Sequence, residues 1–554
     1  MGPTVAATPQ LRQQAPRRLY GAAAALALSA FFAGAFAIWD PPLRDLAAHT
    51  FRADYFSHYG FALWNGSWYG GEYMLTYSIL FPPLSALLSP ELAGALSAVA
   101  CAYFFDRIVR DRWGQGARLA SLWFAALGSL ALLANGWLPF ALGAAFALGT
   151  LRALQLRKYT LAAIAALASA LASPVAAVLL ALVVGVGGLA RGRARLTPAV
   201  AVVIAALAPI ALLALAFPEG GRFPFWFSAY WPLALTCVLT LIALRGIEQE
   251  RELRAVVVAY LAFGTLLWLF PNPVGGNVTR LGSLFAGPVL GAVVMTRQVK
   301  APRIAVLAAL TVALAWQVVT PIPDTVQSLG DPSTGQAYYQ PLVRWLSEHG
   351  AQRERIEIPY TFNHWETAYL APEFPLARGW LRQADLSRNR LFYDGYLTGE
   401  RYGRWLRANG VSWVALADSR LDYSAQREAA IVRGAPSYLQ LRATLRHWRI
   451  YSVRDTGPML QASSGARGRL VSLGPESFSL LASSPGDFVV RIRATPYWRL
   501  AAGGGCLGRA GDWTLVRAAS PGLFRINTRF SPARAWAAAT GETGTCAVSP
   551  ATIY

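Results

Sequence analysis

The sequence predicts a polytopic α-helical membrane domain of about eleven transmembrane helices, followed by an extracytoplasmic α/β region and a β-sandwich-like C-terminal module. Three observations lead there. Hydrophobic residues make up 55% of the 554 residues, and charged residues make up only 14%, well under the roughly 25% of soluble domains. Apolar runs of spanning length recur from residue 19 to about 320 and then stop. The short loops between them alternate between arginine-rich and nearly uncharged. Mean hydropathy of +0.36 and 12% aromatic residues exclude disorder, and four cysteines exclude a disulfide scaffold or a Cys-rich metal cluster. The net charge of +21 and pI of about 10.3 are spread over many loops, so they do not describe a nucleic-acid patch. Lys158 and Lys300 are the only lysines, so the arginine excess reads as coding bias of a GC-rich bacterium.

Residues 1–18 are expected to form a cytoplasmic tail. The spans are expected at 19–39, 89–106, 118–135, 137–153, 159–174, 175–190, 199–216, 227–244, 255–270, 281–296 and 304–320. Several fall short of the ~20 residues that cross a bilayer core, and the division at Ser173-Pro174 is the softest. Alternate loops carry Arg107/Arg110/Arg112/Arg118, Arg152/Arg157/Lys158, Arg191/Arg193/Arg195, Arg245/Arg251/Arg254 and Arg297/Lys300/Arg303. With Arg12/Arg17/Arg18 they place the N-terminus in the cytoplasm, and an odd number of spans places the C-terminal part outside. The first span is too long for a signal peptide and lacks a small-residue cleavage site, so it reads as an uncleaved anchor.

After Thr320 the composition turns polar, and Pro321, Pro323 and Pro332 mark a linker over 321–334. Within 335–455, Pro341–His349 and Glu400–Asn409 pattern as amphipathic helices; Arg355–Pro359, Ser412–Leu416 and Trp448–Val453 pattern as strands. Residues 456–554 alternate in short strands split by Gly, Pro and Ser, as in Phe488–Arg493, which predicts an all-β module. Cys506 and Cys546 lie in it, on the oxidising side, as a disulfide or as two free thiols. Cys101 and Cys237 fall inside spans as packing residues.

The most informative stretch is the outer loop 40–88, roughly fifty residues long where other loops are short. It opens on Asp40 and continues through Asp45, His49, Arg52 and Asp54. The segment Trp64-Asn-Gly-Ser-Trp68-Tyr69-Gly-Gly-Glu72-Tyr73 follows, and the loop ends in Tyr77-Ser-Ile-Leu-Phe-Pro82-Pro83. Asp45, His49 and Arg52 at i, i+4, i+7 share one helix face, where a carboxylate, an imidazole and a guanidinium can deprotonate a hydroxyl and hold a phosphate. A carboxylate there also serves as a cap or as a partner of Arg44 or Arg52, and spacing alone does not separate these roles. Trp64, Trp68, Tyr69 and Tyr73 suit sugar stacking or an interfacial aromatic belt, with Asp54 and Glu72 as polar neighbours.

A first span followed by an outer-loop carboxylate, a D-x-x-x-H helix, W-x-x-x-W-Y-G-G and Y-x-x-x-x-P-P resembles the GT-C glycosyltransferase superfamily, in particular its bacterial branch with the YfhO-like proteins. The resemblance covers residues 19–320 and, more loosely, the outer domain. It implies a sugar donor linked to polyprenyl phosphate, an envelope glycan or glycolipid acceptor and a bacterial inner-membrane location. It also implies a catalytic carboxylate in the first outer loop: Asp45 by its place in D-x-x-x-H, with Asp40 as rival. The departing phosphate needs a cation; besides Arg52, Arg280 stands out in Pro273-Val-Gly-Gly-Asn277-Val-Thr-Arg280, against the charge trend of the outer loops, and Arg222 is a weaker version. Snorkelling to ordinary headgroups is the plainer role for such arginines.

Asp45 and His49 at i, i+4, joined by Glu72, can share a divalent metal, and no acidic cluster or metal motif reinforces that reading. A Walker A loop and a dinucleotide fingerprint are both missing from the sequence. In the outer domain Asn363, His364, Trp365 and Glu366, with Arg378, Trp380, Tyr393 and Asp394, either bind the acceptor or form an interdomain seam. Two other functions fit arginine-punctuated spans: a secondary transporter, which would place ionisable groups at mid-membrane and show repeated halves, and a non-catalytic scaffold of envelope assembly.

Overall fold

The computed structural model describes residues 10–542 together with Gly544 and Cys546. Residues 1–9 of the expected tail 1–18 and the end of the expected module 456–554 lie outside the described residues, and residues 10–18 continue the first apolar helix, Gln10–Trp39. The chain divides into two compact units, which do not follow a linear cut. One holds the residues up to Pro41, Leu88–Ile210 and Pro224–Val326; the other holds Pro42–Leu87, Ala211–Phe223 and the chain from Gln327. The long loop after the first apolar helix thus folds as part of the same unit as the C-terminal region.

The first unit is helical. Among the described residues eight helices are long and apolar enough to cross a membrane: Pro90–Trp113, Gln115–Ala134, Leu138–Gln155, Pro174–Arg191, Leu196–Ala216, Glu248–Leu269, Gly275–Thr296 and Arg303–Ser328. Shorter apolar helices run over Ala23–Trp39, Tyr159–Ala172 and Phe227–Ala243, and each expected span overlaps one of these helices. This is a multi-pass membrane protein. Tyr159–Ala172 has only 14 residues, a rise of about 21 Å, because Ser173 turns extended ahead of Pro174. Ser173 then caps the next helix through its hydroxyl, 3.4 Å from the Ala176 N–H, with proline in the first turn. Small residues bring the helices together: a Cβ on Gly143 would lie 2.7 Å from the Ser173 Cβ and 2.8 Å from that of Ala176.

The charged residues of this unit pair at helix ends. Buried Glu250 accepts from Arg112 Nη2 (3.0 Å), Trp113 Nε1 (2.8 Å) and Arg297 Nε (3.3 Å). Glu252 accepts from Arg112 Nη1 at 3.1 Å and pairs with Arg191 at 2.9 Å. Arginines that mark the sequence-predicted cytoplasmic loops therefore also clamp four helices. An apolar cavity of about 330 Å³, lined by Phe105, Phe140, Leu180 and Val256 among others, reaches Arg112, Arg191 and Glu252.

The second unit carries the sheets. Its strands are β1 (Trp64–Asn65), β2 (Glu72–Tyr73), β3 (Arg355–Glu357), β4 (Val411–Ala417), β5 (Leu439–Thr444), β6 (Trp448–Val453) and β7 (Leu460–Ala462). They continue with β8 (Gly468–Leu473), β9 (Ser477–Ala482), β10 (Gly486–Arg493), β11 (Trp498–Ala502), β12 (Gly505–Ala510), β13 (Trp513–Ala518) and β14 (Gly522–Thr528). The α/β region is a mixed sheet in the order β3-β4-β6-β5, with β3 and β4 parallel. Helices Gln336–Glu348 and Gly399–Asn409 stand where amphipathic patterning predicts them. The expected linker is partly helical, over Ile322–Ser328 and Pro332–Thr334.

The C-terminal module is two four-stranded antiparallel sheets, β12-β13-β10-β7 and β11-β14-β9-β8, closing on a core that includes Phe478, Phe488, Val490, Val516 and Phe524. Cys506 and Cys546 form a disulfide. Cys101 and Cys237 are free and buried.

Candidate functional site

The loop 42–87 builds its own framework before it presents any chemistry. Helix Leu46–Tyr59 starts at Asp45, whose main-chain oxygen accepts the His49 N–H at 3.3 Å, and stops at Gly60, which takes φ +66°. A two-residue hairpin follows, pairing Trp64 with Tyr73 and Asn65 with Glu72. Its turn runs through Tyr69 (φ +58°), Gly70 (φ +72°) and Gly71 (φ +136°). A Cβ on Gly71 would lie 2.0 Å from the Trp64 indole, so the W-Y-G-G motif is a backbone requirement.

The four aromatics of this segment are interior, none more than 8% exposed. Trp68 stacks on Phe51 at 4.2 Å and donates Nε1–H to the Thr367 carbonyl at 3.3 Å. The Tyr69 hydroxyl donates to the Gly379 carbonyl and accepts from the Leu381 N–H at 3.1 Å. Tyr73 shares a hydrogen bond with Thr495 at 3.0 Å, and Trp64 packs edge-on against Tyr73 and Trp498. Protein atoms occupy these ring faces, which corrects the expected sugar-stacking platform. The rings fasten the loop to the strands and turns of its own unit.

On the helix, Asp45 is half-buried, His49 is buried against Tyr77 (6.1 Å) and Phe81 (5.5 Å), and Arg52 is 3% exposed. Asp54 is on the other face, exposed and 3.5 Å from His58. The Arg52 guanidinium lies over Tyr77 (4.4 Å) and Trp68 (5.7 Å), with Nη2 3.6 Å from Glu72 Oε1. Among the described residues its Nε and Nη1, and Oε2 of Glu72, find no hydrogen-bond partner. Burial pushes the Glu72 carboxyl up to about 7, with Glu219 adding to the rise and Arg52 and Arg388 opposing it.

Next to Asp45, Arg44 leads into a network that sequence reasoning missed. Its Nε donates to the Phe362 carbonyl at 3.0 Å and its Nη2 is 3.8 Å from Asp422. Asp422 also receives Arg382 Nη2 at 2.9 Å and His364 Nε2 at 3.4 Å. Burial works against the Asp422 carboxylate, yet the His364 hydrogen bond and the Arg382 charge hold it far below the usual range. His364 takes φ +58°, is fully buried and stacks on Trp380 at 3.6 Å; Trp380 donates to the Arg44 carbonyl at 3.1 Å. Burial lowers its imidazole to about 3, so it stays neutral, with the Nε2 proton facing Asp422. Asp422, in an ordinary turn Leu421-Asp-Tyr-Ser, gives no sequence signal. Arg378 is enclosed by Asp385 (2.7 Å), Glu428 (3.1 Å) and Glu357 (3.9 Å), with Tyr360 and Phe392 over its faces, and belongs to the interior of the α/β region. Tyr393 donates to Asp385, and Asp394 pairs with Arg401 at 2.8 Å.

Arg222 is exposed in the second unit. In the first unit Asp40 is exposed with φ +48° directly after Trp39. Arg280 is half-buried over Trp137 (4.6 Å) and Phe140 (5.0 Å). Asn277 donates to the Val274 carbonyl at 3.0 Å within a tight turn. Among the described residues no three His, Cys, Asp or Glu side chains form a metal-holding group, so Asp45, His49 and Glu72 do not make one.

No family model and no curated protein matches the chain. Among solved structures, a cryo-EM structure of the arabinofuranosyltransferase AftD from Mycobacteria is similar at a TM-score of 0.47 and 18% identity. The match covers 81% of this chain and 40% of that one. This chain therefore spans less than half the length of that protein, and a likeness at this level assigns no activity and does not bear on the YfhO-like branch.

Proposed function

We propose that the chain is a GT-C-type membrane glycosyltransferase, moving a sugar from a polyprenyl-phosphate donor to a cell-envelope glycan or lipid outside the cytoplasm. The observation that carries the reading is the face of helix Leu46–Tyr59. A half-buried carboxylate stands at its start, an imidazole one turn on, and then a buried guanidinium whose Nε and Nη1 find no acceptor among the described residues. A buried donor left unsatisfied costs about 1–3 kcal/mol, and an anion entering from outside recovers that cost. Seven residues separate Asp45 from Arg52, about 10 Å along the helix, which leaves room for a glycosyl phosphate between base and anion site.

In this reading Asp45 accepts the acceptor hydroxyl's proton as that oxygen attacks the anomeric carbon. The bond to the donor phosphate breaks with inversion, and Arg52 stabilises the phosphate that leaves. His49 holds the face in place. Arg280 is the second candidate for the donor phosphate. Asp40 is the alternative base, and the two carboxylates are separable by experiment. Asp45→Asn and Asp40→Asn are compared in membranes supplied with polyprenyl-phosphate sugars, with labelled glycan as readout. Asp45→Asn is expected to lose transfer by about 10²–10⁴-fold while Asp40→Asn retains it. Full transfer by Asp45→Asn overturns the assignment.

A further inference from the structure

Helix Pro532–Thr540 follows the last strand of the β module and turns an apolar face outward. Pro532, Ala533, Trp536 and Ala539 are exposed, Trp536 by 71%, and the preceding Phe530 is 53% exposed. Ala535 and Ala538 pack inward on the sandwich core. The helix's one charged side chain, Arg534, is turned away from that face, donating to the carbonyls of Pro496 (2.5 Å) and Trp498 (2.6 Å). A soluble helix shows the reverse pattern, with its polar face to water.

The surroundings identify what covers this face. The Tyr497 hydroxyl donates to the carbonyl of Ala216 at 2.6 Å, and Phe530 stacks on Tyr497 at 6.2 Å and lies 6.5 Å from Phe217. Ala216 is the last residue of the apolar span Leu196–Ala216, whose final turns leave Leu212 66% and Leu215 56% exposed, as a lipid-facing helix does. Phe530 is thus one ring away from the point where a membrane helix ends. Arg525 and Arg529 are exposed and no Asp or Glu occurs from Trp513 to Gly541; the nearby Glu476 is half-buried and accepts the Thr528 hydroxyl at 2.9 Å. Large aromatics, small apolar residues and arginines without acids are the composition of a segment seated at headgroup level.

We propose that Phe530 and the Trp536 face of helix Pro532–Thr540 dock into the headgroup region of the bilayer where span Leu196–Ala216 ends, with Arg525 and Arg529 on anionic lipid. The β module is thereby held on the lipid surface by its own C-terminal helix.

The test uses the full chain in nanodiscs of phosphatidylcholine and phosphatidylglycerol, with Trp536→Cys, Phe530→Cys and, as a milder change, Ala533→Cys each labelled with an NBD fluorophore. Retention of the Cys506–Cys546 disulfide and a monodisperse profile qualify each variant. Expected is a blue-shifted emission quenched about two-fold by lipid carrying a doxyl group near the headgroup and little affected by aqueous iodide. Iodide quenching without doxyl quenching at all three positions shows the face in water and overturns the proposal. A label shielded from both quenchers shows a protein covering and overturns it equally.

Discussion

Glu72 is a buried carboxyl with the Arg52 guanidinium 3.6 Å away, and burial outweighs that contact. Its folded value of about 7 stands above the ordinary 4.5, so the native state holds a proton that the unfolded chain releases first. The sign follows: the stability this group contributes is complete below about pH 4.5 and is lost as pH rises through about 7. His364 acts the other way. Lowered to about 3 from 6.5, it costs stability as pH falls through that window. Both contributions are common to wild type and a Glu72 variant except the one removed. Glu72→Gln is therefore expected to raise the melting temperature at pH 8 relative to wild type and to leave it nearly unchanged at pH 5. Equal shifts at the two pH values would show that Glu72 is ionised throughout. At this scale the sequence identified His49, Arg52 and Glu72 as notable residues. It missed Asp422 and Arg382, because the contacts of Asp422 with Arg382 and His364 join residues 40 or more apart in the chain.

The hairpin Trp64–Tyr73 shows why an element is more legible than a residue's role. Its W-Y-G-G motif makes the turn, and its aromatic residues are fasteners, since a ring's value as a stacking surface depends on whether its face is open. Gly71→Ala puts a Cβ at φ +136° against the Trp64 indole, 2.0 Å away. The backbone strain alone is worth about 1–3 kcal/mol, with overpacking of similar size in addition. The expected outcome is a lower melting temperature and proteolysis within the loop 42–87 under conditions where wild type resists. Gly60→Ala also sits at positive φ but meets no atom within 4 Å, so it should cost less. Equal effects from the two variants would locate the cost in backbone strain alone.

For the whole molecule the proposed orientation is testable through its sulfur chemistry. The bond between Cys506 and Cys546 joins residues 40 apart in sequence, and the proposed orientation puts it on the oxidising side, where such bonds persist. Cys506→Ser is expected to cost about 2–4 kcal/mol in the β module. A single reporter thiol at Tyr396, 74% exposed in the second unit, should react with a membrane-impermeant maleimide in intact cells. Labelling that requires permeabilised cells would place this unit in the cytoplasm and remove the proposed reaction from the outer face. A transporter would place ionisable side chains at mid-membrane; Glu250, Glu252 and their arginines sit instead at helix ends.

The sequence by itself determined the apolar helices, the alternation of charged loops, two helices and three strands of the 335–455 region and the identity of the unusual loop. All of these are written in local periodicity and composition, which a linear reading can recover. Only the tertiary structure decided that this loop folds with the C-terminal strands, that its aromatics are sealed, that Nε and Nη1 of Arg52 find no acceptor among the described residues and that Asp422 gathers Arg44, Arg382 and His364. Those outcomes depend on which distant side chains exclude water from one another, and hydrogen bonds and charges take their energies from that exclusion.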